Sequence, residues 1–285
     1  MKRALVIGSN SMLGQELVVQ LRTGGDDVVR CGRAGEVDVR FDLAMLGAGP
    51  VTEIGPVDAV FVCAASFEEN TWEECIRSAL VNSVSAFRIA EWAERLGSRH
   101  IVMAGTVSSC LEFPQTAYGI TKAHGEEAMQ FACRRMGKDF VALRMPQLCD
   151  DCGLSSRHQP WFSRIIARAF VGGDLRLPAG DCPRNFLHVQ DAARALIGAW
   201  QAGLAGTHVL VSPESHSYRE IAGMAYAAFG NGGAVVDAPE MRPFRPVQFP
   251  AGSPEAMALI ADDRLSMCEV IARIRDRGTA ANFPA

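Results

Sequence analysis

The stretch "VIGSNSMLGQEL", residues 6–17, decides how the chain is read. An apolar run ends at Gly8, a helical pattern opens at Gly14, and between them stand Asn10, Ser11, Met12 and Leu13. A strand that passes so quickly into a helix aims loop N–H groups and the positive end of the helix at one point, which suits a pyrophosphate. Two glycines by themselves are equally compatible with a tight strand-to-helix turn that binds nothing. Ser11 stands where a third glycine is expected. It is compatible with a working loop if the backbone there needs no positive φ and its Cβ points away from the phosphates.

Working outward, short aliphatic runs alternate with segments of 3.6-residue periodicity. The runs at 3–8, 27–32, 58–65, 99–105 and 140–145 read as strands buried on both faces, and 13–23, 72–96 and 118–137 as helices. This alternation predicts an α/β fold with a doubly wound parallel sheet. After residue 148 the rhythm loosens. Helices are expected near 160–171, 188–203, 217–230 and 264–276, with a strand at 207–212 and a Pro-rich lead-in at 239–254. We expect a Rossmann domain over 1–148, with the chain returning to it around 180–213, and a smaller lobe formed mainly by 149–285.

Composition narrows the function. A chain of 285 residues with 48% hydrophobic side chains can bury a full core. Its 28 basic residues are scattered against 32 acidic ones, so the basic stripe of a nucleic-acid binder is missing. Nine irregularly spaced cysteines, several inside apolar runs such as "VFVCAA", read as reduced thiols acting as small hydrophobes. "CDDC" at 149–152 has no second ligand pair for a closed zinc site and reads as reduced loop cysteines. The apolar start breaks at Gly8, and no later run is long enough to span a bilayer, so a cytoplasmic protein without membrane contact is expected.

Three further features bear on chemistry. The second strand ends at Gly32, where an acid that bonds a ribose hydroxyl is usual, and Arg33 follows; a cation without a carboxylate favours a 2′-phosphate, hence NADP over NAD. The alternative is that Arg33 is a solvated loop charge. Asp42 in "RFDL" stands after a further short strand, within reach of an adenine amino group. In "AYGITK" Tyr118 and Lys122 are four apart on one helix face, and an ammonium near a phenol lowers its pKa toward a useful range. They follow "MAGTVSS", whose hydroxyls stand at the carboxyl end of a parallel strand, where ligands bind.

With "GSNSMLG", "DL" at 42–43, "CAA" at 63–65, "VNSVSAFRIAEWA", "IVMAGT", "YGITKAHGE", "LRMPQL" and "RNFLHVQDAARAL", the chain resembles an extended short-chain dehydrogenase/reductase of the NAD-dependent epimerase/dehydratase family. The resemblance implies an oxidoreductase or epimerase that uses NADP or NAD on a nucleotide-linked sugar. It implies Tyr118 as general acid/base, Lys122 as the residue that lowers its pKa and bonds the nicotinamide ribose, and Asn82 as support for the hydrogen-bond network. Thr106 becomes the catalytic hydroxyl, with Ser108 as the fallback. Asp42 and Leu43, and Cys63, Ala64 and Ala65, line the cofactor's path. Gln147 and Arg184 touch the substrate diphosphate. Homodimers are implied, through the helices expected at 72–96 and 118–137 with Ala79, Phe87 and Met129 among their apolar positions.

The chain also departs from the family. The connection from Thr106 to Tyr118 is short, and Val107 and Ser108 stand where dehydratases carry an acidic pair, which disfavours dehydration. "GSNSMLGQEL" and "YGITKAHGE" resemble the dTDP-4-dehydrorhamnose reductase branch, while "RNFLHVQD" resembles the epimerases; in the latter, His188 and Asp191 read as anchors of the following helix. Two other functions stay open: an NADPH-dependent reductase of a non-sugar carbonyl compound, and a cofactor-sensing protein without turnover.

Overall fold

The computed structural model describes the chain apart from residues 47–49, 51–52, 111, 112, 114, 181 and 285. Some of the short connection after Thr106 therefore lies outside the described residues. Along the chain come β1 (Arg3–Ile7), α1 (Met12–Thr23), β2 (Asp27–Gly32), β3 (Val39–Arg40), β4 (Ala59–Val62), α2 (Trp72–Ala79), α3 (Ser85–Arg95), β5 (His100–Thr106), α4 (Ala117–Met136) and β6 (Asp139–Met145). Then follow β7 (Gln147–Cys149), α5 (Pro160–Val171), β8 (Leu175–Leu177), β9 (Phe186–His188), α6 (Val189–Gln201), β10 (Gly206–Val209), α7 (Tyr218–Phe229), β11 (Val235–Asp237), α8 (Pro254–Ala258) and α9 (Met267–Asp276). The backbone divides into two units. One holds Met1–Met145, Ala192–Leu210 and Pro250–Ala261; the other holds Pro146–Asp191, Val211–Phe249 and Asp262–Ala285. The return at Pro250–Ala261 has no counterpart in the sequence reading.

The first unit is built on a seven-stranded sheet in the order β10-β6-β5-β4-β1-β2-β3. Every pairing in it is parallel, with Ala4 opposite Val28 on one side of β1 and Ala59 on the other. Ala4 to Ile7 are all buried, as a strand covered on both faces requires. Leu5, Ile7, Val60 and Val62 pack with Ile89, Trp92 and Ala93 of α3 and with Met129 and Cys133 of α4. This is the doubly wound Rossmann arrangement expected from the alternation of runs.

Two boundaries need correction. The single helix expected over 72–96 is two helices joined by a π turn at Leu80–Val84. The wider turn sets the Asn82 carbonyl against α4, where a Cβ at Gly125 would lie only 1.9 Å from it. The strand expected over 58–65 stops at Val62, which leaves Cys63–Ala65 as irregular backbone beyond the sheet edge.

The second unit holds two small parallel sheets, β7 with β9 and β8 with β11. Each of these strands has three residues, too few for a periodic signal. Its core gathers Phe162, Ile165, Phe186, Ile221, Ile271 and Phe283 from strands, helices and the C-terminal segment. Among the described residues no helix is long and apolar enough to cross a membrane.

Ser11 is the N-cap of α1. Its backbone is extended (φ −70°, ψ 158°), and its hydroxyl accepts the Gly14 N–H at 3.0 Å. No positive φ is required there, so serine fits without strain, and its hydroxyl serves one of the helix's orphan donors. The prediction is that Ser11→Ala lowers unfolding free energy by about 1 kcal/mol and Ser11→Gly by about 0.3 kcal/mol. Urea midpoints check this; equal losses in the two variants would mean that the hydroxyl does not cap the helix.

Candidate active site

The glycines of the first loop create close backbone approaches. Gly8 has φ +84°, and a Cβ on it would lie 2.5 Å from the Ala64 nitrogen; one on Gly14 would lie 2.1 Å from the Gly8 carbonyl oxygen. The ends of β1 and β4 and the start of α1 thus converge with no side chain between them. The Gly8 and Ser9 N–H groups both donate to the Cys31 carbonyl, at 2.8 and 3.1 Å. The amides of Met12 and Leu13, at the positive end of α1, have no hydrogen-bond partner among the described residues. A cradle of this shape and polarity fits a pyrophosphate.

Asn10 does more than line the loop. Its Nδ2 donates to the Ala34 carbonyl at 2.5 Å, beside Gly35 at φ +83°, so it holds the turn that carries Arg33. Arg33 is exposed and makes no hydrogen bond or ion pair with a described residue, whereas Arg30 nearby is paired with Asp38 at 3.2 Å. Asp42 is half-buried and its Oδ1 accepts the Ala44 N–H at 2.9 Å, so in this structure it caps a turn; Leu43 is buried in the core. Cys63 is a buried neutral thiol, pushed up to about 12 by burial with Lys122 pulling the other way.

At the carboxyl end of β5 the structure brings Thr106 to the Tyr118 phenol. Burial pushes the phenol's pKa up, the hydrogen-bonding Thr106 hydroxyl pulls it down, and the Glu126 charge adds to the rise. Lys122 is 2% exposed, and its Nζ donates at 2.6 Å to the Ala104 carbonyl. Burial pushes the ammonium's own pKa down, while Glu126 and Cys63 pull it up. Ser108 contributes mainly backbone: its N–H donates to Thr106 Oγ1 at 3.2 Å, and a Cβ on Gly119 would lie 2.3 Å from its carbonyl oxygen.

Asn82, delivered by the π turn, locks the segment after β4. Its Nδ2 donates to the Ser66 carbonyl (2.8 Å) and to Thr121 Oγ1 (3.0 Å), and its Oδ1 accepts the Ser66 N–H (2.8 Å). Beyond Ser66, Phe67 stacks on the Tyr118 ring with centroids 4.5 Å apart, and Glu69 Oε2 accepts the Tyr118 N–H at 3.2 Å. Sequence reading missed Ser66, Phe67, Glu69 and Thr121. Thr121 was within reach, since it lies three residues after Tyr118 on the same helix face. The others sit in irregular backbone, where no period points inward.

Gln147 and Arg184 belong to the second unit. Gln147 Nε2 donates to Gln159 Oε1 at 2.7 Å. Arg184 is 9% exposed and donates to the carbonyls of Pro183 and Arg245, both at 3.1 Å, with its guanidinium 5.6 Å from the Tyr218 ring and 5.8 Å from the Phe244 ring. It pairs with no carboxylate among the described residues. His188 Nδ1 accepts the Gln190 N–H at 3.3 Å and Asp191 Oδ2 accepts the Leu265 N–H at 3.0 Å, so both hold backbone. Cys149 and Cys152 are free thiols.

A dTDP-4-dehydro-6-deoxy-D-allose reductase from a Streptomyces species is 22% identical over 288 positions, covering 88% of this chain and 87% of the relative. The crystal structure of UDP-N-acetylglucosamine 4-epimerase from Bacillus cereus superposes with a TM-score of 0.79 at 22% identity, over 97% of this chain and 99% of that one. The structure of RMD from Pseudomonas aeruginosa complexed with NADPH gives 0.80 at 16% identity, over 99% of this chain and 100% of that one. At these identities the likeness carries the fold. The sequence profile of the NAD dependent epimerase/dehydratase family matches residues 4–212, and the chain belongs to that family.

Proposed function

We propose that this protein is an NAD(P)-dependent enzyme that transfers hydride to or from a carbon of a nucleotide-linked sugar, with Tyr118 as the proton donor and acceptor. The observation that carries the reading is the meeting of Thr106, Tyr118 and a buried Lys122 at the carboxyl end of β5, in the same unit as the Gly8–Gly14 cradle. The cofactor residues are Gly8, Asn10, Ser11, Met12, Leu13 and Gly14 around the pyrophosphate, with Cys63, Ala64 and Ala65 along its path and Asp42 and Leu43 toward the adenine. When bound, the nicotinamide supplies the hydride donor or acceptor.

The chain's own residues supply the rest. In the reducing direction the Tyr118 hydroxyl gives its proton to the substrate carbonyl oxygen, and in the oxidising direction the phenolate takes the proton of the substrate hydroxyl. Thr106, whose hydroxyl pulls the phenol's pKa down, orients the oxygen that exchanges the proton. Lys122 holds positive charge nearby and bonds the nicotinamide ribose. Asn82 keeps the Ser66–Glu69 segment closed over the tyrosine. Gln147 and Arg184 hold the diphosphate; a buried guanidinium with no carboxylate of its own is suited to that anion. Replacing Tyr118 by Phe is expected to lower turnover of NADPH with a dTDP-linked keto sugar by about 10³-fold while leaving NADP affinity within about twofold. Undiminished turnover in that variant would sink the assignment.

The exposed, unpartnered Arg33 supports NADP as the preferred cofactor and, with it, a net reductase. Arg33→Ala is expected to weaken NADP binding about 10- to 100-fold, the loss of one or two charge-assisted hydrogen bonds, with NAD binding nearly unchanged. Calorimetric titration with both cofactors checks this, and an equal loss for both would overturn the preference.

A homodimer is supported by apolar side chains left in solvent on the helices that relatives use for dimerisation. Trp72 is 85% exposed, and Ile76, Phe87 and Phe131 are each more than half exposed, whereas Met129, also considered for this role, is fully buried core. Sedimentation velocity is expected to show a dimer that Phe87→Asp dissociates; a monomeric native chain would overturn this.

A further inference from the structure

One buried charge on α4 has no part in the chemistry so far. Glu126 lies one turn beyond Lys122, and both are buried. Its Oε2 accepts a hydrogen bond from Arg144 Nε at 2.8 Å, while Oε1 has no hydrogen-bond partner among the described residues. Arginine and carboxylate frequently pair through two parallel hydrogen bonds, which would engage both oxygens. Here Arg144 presents one edge, and its NH1 points to the Cys110 sulfur at 3.8 Å. The unengaged oxygen is turned toward Gly105, where a Cβ would lie 2.7 Å from it. Lys122 Nζ donates to the carbonyl of Ala104, the residue before Gly105. Carboxylate and ammonium thus approach the same piece of β5, immediately before Thr106.

We propose that Glu126 is a positioning residue: its carboxylate, moored by Arg144 and admitted by the missing side chain of Gly105, is the counter-charge that keeps the buried Lys122 ammonium charged and in place beside Tyr118. This rests on Tyr118 and Lys122 being the proton-transfer pair. A lone ammonium taken out of water is strongly disfavoured, and a negative charge one helical turn away offsets that cost without occupying the donor that the ribose needs. The charged and titratable groups facing Glu126 and Lys122 are Tyr118 and Glu127 from α4, Arg144 from β6, Cys110 from the turn after β5, and Cys63 from the end of β4.

The directions follow. Burial pushes the Glu126 carboxyl up and Arg144 pulls it back; Glu126 in turn raises Lys122 and raises Tyr118. Neutralising Glu126 therefore lets Lys122 lose its proton at lower pH and lets the Tyr118 phenolate form at lower pH, so both limbs of the pH profile move the same way.

The test is Glu126→Gln in the full chain with NADP bound. The chain has only three tyrosines, so the phenol of Tyr118 can be followed by NMR with Cζ-labelled tyrosine and assigned with Tyr118→Phe. The expected result is an ionisation midpoint at lower pH than in the native chain. In the oxidising direction, where the Tyr118 phenolate sets the acid limb and the Lys122 ammonium the alkaline one, both limbs of kcat/KM should also shift to lower pH, with about tenfold less activity on the alkaline side. An unmoved or raised midpoint, a phenol that stays protonated in both chains, or a loss of activity uniform across pH overturns the proposal. If the single variant does not fold, Glu126→Gln with Arg144→Gln removes the lone buried cation and is judged by the same shifts. Turnover retained in Tyr118→Phe would overturn the functional reading instead, and the midpoint measurement does not depend on turnover.

Discussion

Everything at the candidate site depends on how closely backbones meet at the carboxyl edge of the seven-stranded sheet. Gly14 packs its Cα against the Gly8 carbonyl, and Gly8 against Ala64, at distances that leave no room for a side chain. This sets the start of α1 directly on the sheet edge and leaves the Met12 and Leu13 amides pointing out of it. Gly125 does the same for α4, letting it lie against the π turn so that Asn82 can reach both Ser66 and Thr121. The glycine loop and the tyrosine are held by one device, a missing side chain at a crossing of two backbones.

The second organising feature is the low-dielectric setting of Lys122. An ammonium that is 2% exposed must be hydrogen-bonded and compensated, or it gives up its proton. The Ala104 carbonyl supplies the bond. Burial sets the phenol of Tyr118 too: it is covered by Phe67 and pushed up, with the Thr106 hydroxyl pulling it back and the Glu126 charge adding to the rise.

How much of this was legible in the sequence differs by element. The five main strands and α1, α4 and α6 were legible because buried parallel strands are continuous in apolar character and long amphipathic helices repeat. The break in the helix expected at 72–96 was not, because a π turn keeps helical composition and leaves the hydrophobic period almost intact. The strands β7, β8, β9 and β11 are too short to carry a period. At the candidate site, "YGITK", "MAGT" and "VNSVSAF" single out Tyr118, Lys122, Thr106 and Asn82 as candidates, whereas Phe67 and Glu69 touch Tyr118 from irregular backbone that has no pattern to read.

By itself the sequence determined the fold class and the family and named candidates for the chemistry-bearing side chains, because each is written in local spacing: glycines six apart, a tyrosine and lysine four apart, strands in alternation with helices. Tertiary structure decided what those side chains touch. Ser11 is a helix cap, Asp42 a turn cap, Arg184 a buried guanidinium beside aromatic rings, and Glu126 a carboxylate with one oxygen engaged. The reason is physical. Ser11 and Asp42 bond amides three and two residues on, once the turn around them has its shape, while Glu126 and Arg184 meet partners 18 and 61 positions away that only the assembled fold brings close, and burial of either kind is set by the whole unit.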